Sequence, residues 1–77
     1  MFEYHICNQA DERLFYAQCN AVEKHIRALE KKELLVDVDG TRVQQYEHRN
    51  GHIMVKNDLQ VNALYVISEF DLLPYFS

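Results

Sequence analysis

Four histidines and two cysteines are side chains of this chain that could bind a zinc ion. His5 and Cys7 are two residues apart, so both would lie on one face of a strand. His48 and His52 flank a turn at Asn50-Gly51, and a three-residue loop would place them opposite each other. These four side chains could surround a tetrahedral zinc ion if the first strand lay beside that hairpin. Their spacing matches no zinc-finger pattern, so we predict neither a metal nor another cofactor.

A second pattern that could carry chemistry is the run Leu-Leu-Val-Asp37-Val-Asp39-Gly40-Thr41. It resembles the first signature of the haloacid-dehalogenase-like phosphatases, in which a hydrophobic strand is followed by Asp-x-Asp-Gly-Thr. The resemblance covers about nine residues. It implies a nucleophile at Asp37, an acid/base at Asp39 and a bound Mg²⁺ ion.

The rest of the chain departs from that family. Only 36 residues follow Thr41, and Lys56 is the only lysine among them, whereas the family needs a larger parallel sheet with further catalytic and metal-binding residues. The same run also fits a hairpin with Asp39-Gly40 as its turn and an Asp37–Arg42 pair across the strands. We favour the hairpin and predict that the protein is not an enzyme.

Composition limits the classes of protein that this chain can belong to. The chain has 77 residues, of which 48% are hydrophobic and 26% charged, as expected for one small domain spanning residues 1–77. A net charge of −4 disfavours nucleic acid and anionic membrane surfaces as partners. No apolar run approaches the ~18 residues that a membrane span needs. The two cysteines are expected to be free thiols in the cytoplasm, with Cys19 in the core.

The first half of the chain predicts a strand and a long helix. Residues 2–7 alternate between apolar and polar side chains, which is typical of a half-buried strand. Asn8 then fits a helix N-cap, and Lys31 and Lys32 fit the helix end, so we expect about six turns. The apolar stripe of this helix is formed by Phe15, Cys19, Val22, Ile26 and Leu29.

The second half predicts strands joined by turns. Asp39-Gly40 indicates one hairpin, and Arg49-Asn50-Gly51 is expected to form a three-residue loop in the next, with Val43 on the inner face. Residues 61–67 favour a strand, although a helix starting at Asp58 stays open. The apolar face of that helix would comprise Leu59, Ala63, Val66 and Phe70. The tail, residues 68–77, is expected to fold back on the core.

These elements predict an α+β fold of order β-α-β-β-β-β, in which one long amphipathic helix packs on one face of a mostly antiparallel sheet. The face toward the helix should carry Phe2, Tyr4, Ile6, Leu34, Val36, Val38, Val43, Ile53, Val55, Val61, Ala63, Tyr65 and Ile67. The other face should carry Glu3, His5, Cys7, Leu35, Asp37, Arg42, Tyr46, His48, His52, Met54, Leu64 and Val66.

The second face mixes aromatic, imidazole and aliphatic groups, as protein interfaces do. We therefore expect a non-catalytic protein that binds another protein, as an inhibitor, adaptor or immunity-type factor, through Tyr46, His48, His52 and Met54. A facing His48/His52 pair would make this surface sensitive to pH near 6. A homodimer through this face or an edge strand is a further expectation.

Two alternative functions stay open at this stage. A metal or small ligand would bind the histidine-rich face, and a nucleic acid would bind the basic helix face. The candidate contacts on the helix face are Arg13, Tyr16, Lys24 and Arg27.

Overall fold

A computed structural model describes residues 1–76 and shows an α+β fold with one main helix packed against an antiparallel sheet. The strands are β1 (Phe2–Cys7), β2 (Glu30–Lys31), β3 (Leu35–Val36), β4 (Arg42–His48), β5 (Gly51–Asp58) and β6 (Ala63–Ser68). The helices are α1 (Glu12–His25) and α2 (Leu73–Phe76). Within residues 1–76 the sheet order is β1-β6-β5-β4-β2, and β3 also pairs with β4. The predicted fold class is confirmed, and residues 63–68 form a strand, not a helix.

Helix α1 is shorter than the sequence predicts. The N-cap is Asp11, whose side chain accepts a hydrogen bond from the Leu14 amide at 3.0 Å, and not Asn8. The helix ends at His25, because Ile26 is extended and Ala28 has a left-handed φ of 60°. The chain can then turn back, so that Glu30–Lys31 pairs with β4. Tertiary pairing has overridden the helical periodicity that continues through Leu29.

The hairpin between β4 and β5 has a different register from the predicted one. His48 pairs with Gly51, so the loop contains only Arg49 and Asn50, and Tyr46 pairs with Ile53. A shift of one residue moves every side chain of a strand to the other face of the sheet. The structure therefore places Tyr46 on the helix side, where it is fully buried, and Val43 on the opposite side.

Strand β6 is also inverted relative to the prediction. Val66 pairs with Val55, and Leu64 pairs with Asn57, so the even-numbered residues of β6 point toward the helix. Leu64 and Val66 are buried, whereas Tyr65 and Ile67 lie on the other face and are partly exposed. The turn before β6 is closed by Asp58, whose carboxylate accepts hydrogen bonds from the amides of residues 60 and 61. Asp58 therefore stabilises a turn and not a helix.

The core lies between α1 and the inner face of the sheet. The helix contributes Phe15, Cys19 and Val22 of the predicted stripe, whereas Ile26 and Leu29 follow the end of the helix. The strands complete the core from the other side; the buried cluster is Phe15, Cys19, Val22, Ile26, Tyr46, Ile53, Val55, Leu64, Val66 and Leu72. Val36 and Val38, which were expected to face the helix, are exposed in the short β3 strand and the turn after it. Both cysteines are free thiols, and burial raises the pKa of Cys19.

Residues after β6 lie against the core. Leu72 is buried, and its amide donates a hydrogen bond to the Tyr4 hydroxyl at 2.8 Å. The same hydroxyl donates to Asp71 at 2.8 Å. The predicted tail 68–77 ends at Ser77, which lies outside the described residues. These contacts attach the segment before α2 to strand β1 at one end of the sheet.

Candidate functional site

The face of the sheet opposite α1 has no helix over it within residues 1–76, and we call this surface the open face. Side chains alternate between the two faces of a strand, so the register identifies its members. They are Glu3 and His5 of β1; Val43, Gln45 and Glu47 of β4; His52, Met54 and Lys56 of β5; and Tyr65 and Ile67 of β6. The open face contains two clefts, one toward each end of β5.

The first, which we call the histidine cleft, has a volume of about 320 Å³. Its floor is formed by Met54 and Ile67, which pair across β5 and β6, and by Gln45 of β4. His52 and Glu69 form one side, and Met1 lies at the rim. The cleft thus has an apolar floor and a charged margin, which is the composition of many protein contact sites.

His52 is held between two carboxylates at the margin of this cleft. Its Nδ1 lies 2.7 Å from Glu69 Oε1, and its Nε2 lies 3.2 Å from Glu47 Oε1. Glu69 Oε1 also accepts the His52 backbone N–H at 2.6 Å. Hydrogen bonding to Glu69 and Glu47 raises the pKa of His52. The contacts with His52 also lower the pKa of Glu69. The hydrogen bond from the His52 backbone amide has the largest effect, and the one with the His52 ring comes next.

Charged side chains continue from this margin of the cleft to β2. Glu30 and Glu47 pair across β2 and β4, and Lys32 Nζ lies 3.0 Å from Glu30 and 3.1 Å from Glu47. Side-chain hydrogen bonds, first with Glu30 and then with Lys32 and His52, lower the pKa of Glu47 to about 2. Glu47 therefore stays a carboxylate at any physiological pH, and its negative charge is a fixed feature of the cleft.

We expect pH to change this cleft through His52 and its carboxylates. The pKa of His52 is higher in the folded protein than the ordinary histidine value of ~6.5. The contacts of His52 therefore stabilise the fold fully below about pH 6.5, and this stabilisation is lost as the pH rises through the raised pKa. The His52 ring should titrate above ~6.5 in an NMR titration, and Glu69→Gln should lower its pKa. Glu33→Gln, at an exposed position away from the cleft, is the matched control. A His52 pKa that does not respond to Glu69→Gln would contradict the pairing.

The second cleft, which we call the aspartate cleft, has a volume of about 380 Å³ at the other end of the open face. Its lining includes Asp37 and Asp39 of the Asp-x-Asp-Gly-Thr run and Lys56 of β5. The run forms a hairpin turn: the Asp37 amide donates to the Thr41 carbonyl at 2.8 Å, and Gly40 has a φ of +92°. The hairpin interpretation is confirmed, and the phosphatase-like sheet is absent from residues 1–76.

Both carboxylates of that run are engaged in the turn. Asp37 accepts the Val38 amide at 2.8 Å, and Asp39 accepts the Thr41 amide at 2.9 Å. The predicted Asp37–Arg42 pair is wrong, because Arg42 Nη2 lies 3.3 Å from Glu12 of α1 instead. The acidic residues of this motif therefore accept hydrogen bonds from backbone amides of the turn, as aspartates commonly do in turns.

Two of the four residues proposed for the open face lie elsewhere. Tyr46 is fully buried against α1, and its hydroxyl donates to Glu23 Oε2 at 2.6 Å. His48 has the same parity as Tyr46, so it points away from His52 and stacks on Phe70 with ring centroids 5.0 Å apart. The predicted His48/His52 pair is therefore wrong. His52 and Met54 do lie on the open face.

The open face contains further residues that the sequence did not single out. Gln45, Ile67 and Glu69 come from different parts of the chain and meet Met54 and His52 only through the pairing of β4, β5 and β6. The correct loop length between β4 and β5 would have identified Gln45. The sequence pattern placed Ile67 on the helix side, and no sequence signal paired Glu69 with His52.

The residues considered for zinc are dispersed. Cys7 pairs with Leu64 on the helix side, His48 contacts the segment after β6, and His5 is separated from His52 by the full width of β6. Within residues 1–76 no group of three or more histidine, cysteine or acidic side chains is arranged to hold a metal ion. The histidine-rich face expected from the sequence does not form.

The second predicted surface, on the helix, is exposed but shorter than expected. Arg13, Tyr16 and Lys24 lie on the outer side of α1, whereas Arg27 follows the end of the helix. Tyr16 packs edge-on against Phe15, with ring centroids 5.1 Å apart. Neither described helix has the length and apolar character that a membrane crossing requires.

Comparisons with protein-family models, with curated proteins and with solved structures found no match for this chain. Its class is therefore defined by its own fold and surface. It is a small α+β protein in which a helix covers one face of an antiparallel sheet and the opposite face is open.

Proposed function

We propose that this protein is a non-catalytic binding protein that uses its open face to contact a partner protein, as an inhibitor, adaptor or immunity-type factor does. The observation that supports this proposal is the histidine cleft, where Met54 and Ile67 form an apolar floor beside the charged pair His52 and Glu69. An apolar centre with a polar margin is the usual arrangement of a protein interface.

The charge of the open face indicates the chemistry of the partner. Seven carboxylates lie on or beside it, and two lysines oppose them; the carboxylates are Glu3, Glu30, Asp37, Asp39, Glu47, Asp58 and Glu69, and the lysines are Lys32 and Lys56. A partner surface with an apolar projection surrounded by arginine or lysine side chains would complement this arrangement. We expect this protein to act in the cytoplasm, because both of its cysteine thiols are free.

The test is recovery of the tagged chain from its own host, followed by native mass spectrometry. Met54→Arg places a positive charge at the centre of the histidine cleft and is expected to weaken partner binding by more than tenfold. Tyr16→Arg, the matched control on the outer side of α1, should leave binding unchanged. Both positions are outside the buried cluster, so circular dichroism should show that both variants keep the fold.

The outcomes separate the alternatives. A stoichiometric protein that Met54→Arg releases and Tyr16→Arg retains supports the proposal. Release by Tyr16→Arg alone would assign binding to the helix surface, and a nuclease-sensitive companion would assign it to nucleic acid. A mass increment the size of a metal ion that Met54→Arg does not alter, or a chain with no companion at all, would also overturn the proposal.

A further inference from the structure

Strand β1 forms one border of the sheet, and its outer edge has no strand partner among the described residues. It pairs with β6 on one side only. The opposite border differs, because the outer side of β4 is covered by the two-residue strands β2 and β3. A free strand edge presents unpaired N–H and C=O groups and is a template for pairing with another strand.

The side chains of β1 are arranged symmetrically about Tyr4. Glu3 and His5 flank Tyr4 on either side, and both lie on the open face. Two residues on either side are Phe2 and Ile6, which lie on the helix side with 42% and 41% of their surface exposed. A strand with this pattern is complementary to an antiparallel copy of itself.

We propose that β1 pairs antiparallel with β1 of a second copy of this chain, about a two-fold axis that passes through Tyr4. In this register Glu3 lies opposite His5 of the other copy, and the symmetry makes this contact twice. Phe2 likewise lies opposite Ile6 of the other copy, twice. The two sheets then join into one continuous sheet through roughly four to six backbone hydrogen bonds.

The charges favour this occupant of the edge over an unrelated strand. The Glu3 side chain makes no hydrogen bond or ion pair within residues 1–76, so its carboxylate is available to a second chain. The His5 ring contacts Asn8 Oδ1 through Nε2 at 2.6 Å, and its Nδ1 has no hydrogen-bond partner within residues 1–76, so this atom is available to an opposing carboxylate. A hydrogen bond between the Glu3 carboxylate and the His5 ring across the strands would stabilise this antiparallel register, whereas a parallel in-register copy would place Glu3 beside Glu3.

The exposed apolar side chains give a second argument. Ile6 and Tyr4 line a mostly apolar groove of about 300 Å³ between β1, α1 and the α2 segment. In the proposed register Phe2 of the second copy lies against Ile6 at the border of this groove, so the pairing buries apolar surface that the single chain exposes. The bulge between His5 and Cys7 bends β1 after Ile6, which limits the pairing to residues 2–6.

Sedimentation velocity of the full chain over a range of concentrations tests the dimer. The wild type should associate, and Glu3→Lys should raise the dissociation constant roughly tenfold or more, because it places lysine opposite His5 twice. The double variant Glu3→Lys/His5→Glu should restore association, since it exchanges the two charges. Glu33→Lys, an equal change of charge at an exposed position away from β1, should have no effect. Met54→Arg should also have none, which keeps this test separate from that of the proposed function.

Cysteine cross-linking tests the register directly. Directly opposed residues of antiparallel strands are close enough for a disulfide. A mixture of Glu3→Cys and His5→Cys chains, both carrying Cys7→Ser, should form the mixed disulfide on oxidation, and the Glu3→Cys chain alone should not. A wild type that stays monomeric at every concentration would overturn the proposal. So would a dimer that is insensitive to Glu3→Lys, or one that the charge exchange does not restore.

Discussion

Tyr46→Ala is expected to lower the free energy of unfolding by about 3–5 kcal/mol, the range for removing a large buried aromatic side chain. Tyr46 is fully buried, and Cys19 and Val22 of α1 belong to the same core cluster. The substitution leaves a cavity and removes the hydroxyl that donates to Glu23. A domain of this size has little stability to spare, so the variant should be largely unfolded at ambient temperature.

The matched control is Tyr46→Phe, which keeps the ring and removes only the hydroxyl. It should cost about 1–2 kcal/mol, because Glu23 loses one hydrogen bond but keeps Lys31 at 3.2 Å. Urea denaturation followed by circular dichroism measures both variants. If Tyr46→Ala costs less than about 0.5 kcal/mol, as is typical of a surface position, the ring is not in the core and the β4–β5 register is wrong.

Leu64→Ala is expected to cost about 2–5 kcal/mol, because Leu64 is fully buried between β6 and α1. Ile67→Ala, three residues later on the same strand, should cost under about 1 kcal/mol, since Ile67 lies partly exposed on the open face. Chemical denaturation of the two variants under one set of conditions compares the two faces of β6. A larger loss of unfolding free energy for Ile67→Ala than for Leu64→Ala would show that β6 turns its other face to the helix.

The elements themselves were largely predictable from local chemistry. The helical stripe at Phe15, Cys19 and Val22 is regular, and all three residues are buried as predicted. Asp39-Gly40 forms the predicted turn, because Gly40 adopts a positive φ that other residues avoid. These features depend on residues near in sequence, and short-range sterics and hydrogen bonds decide them.

The orientation of the strands was much less predictable. Strand β6 reads Ala-Leu-Tyr-Val-Ile, with apolar side chains at both odd and even positions, so its pattern does not indicate which face is buried. In β4 either Val43 or Tyr46 could face the helix, and the expected three-residue loop favoured Val43. The structure buries Tyr46, which offers the larger apolar surface and finds an acceptor for its hydroxyl in Glu23.

The residues of the candidate site likewise divide into those that local sequence predicted and those that only strand pairing placed. His52 and Met54 were correctly placed on the open face, because both lie on β5 with Ile53 and Val55 turned to the core. The partners of His52 were not predictable from the sequence, because Glu47 lies on a neighbouring strand and Glu69 follows the end of β6. The contact is set by pairing between segments that are distant in sequence.

The sequence by itself determined that the chain forms an α+β fold, that the main helix buries Phe15, Cys19 and Val22, and that Asp39-Gly40 lies in a turn. Only the tertiary structure decided the end of α1 at His25, the two-residue loop before Gly51 and the face on which Tyr46 lies. Local propensities are summed over neighbouring residues, whereas register is chosen by the total surface buried between distant segments. A one-residue shift leaves every local preference nearly unchanged and exchanges the two faces of the sheet.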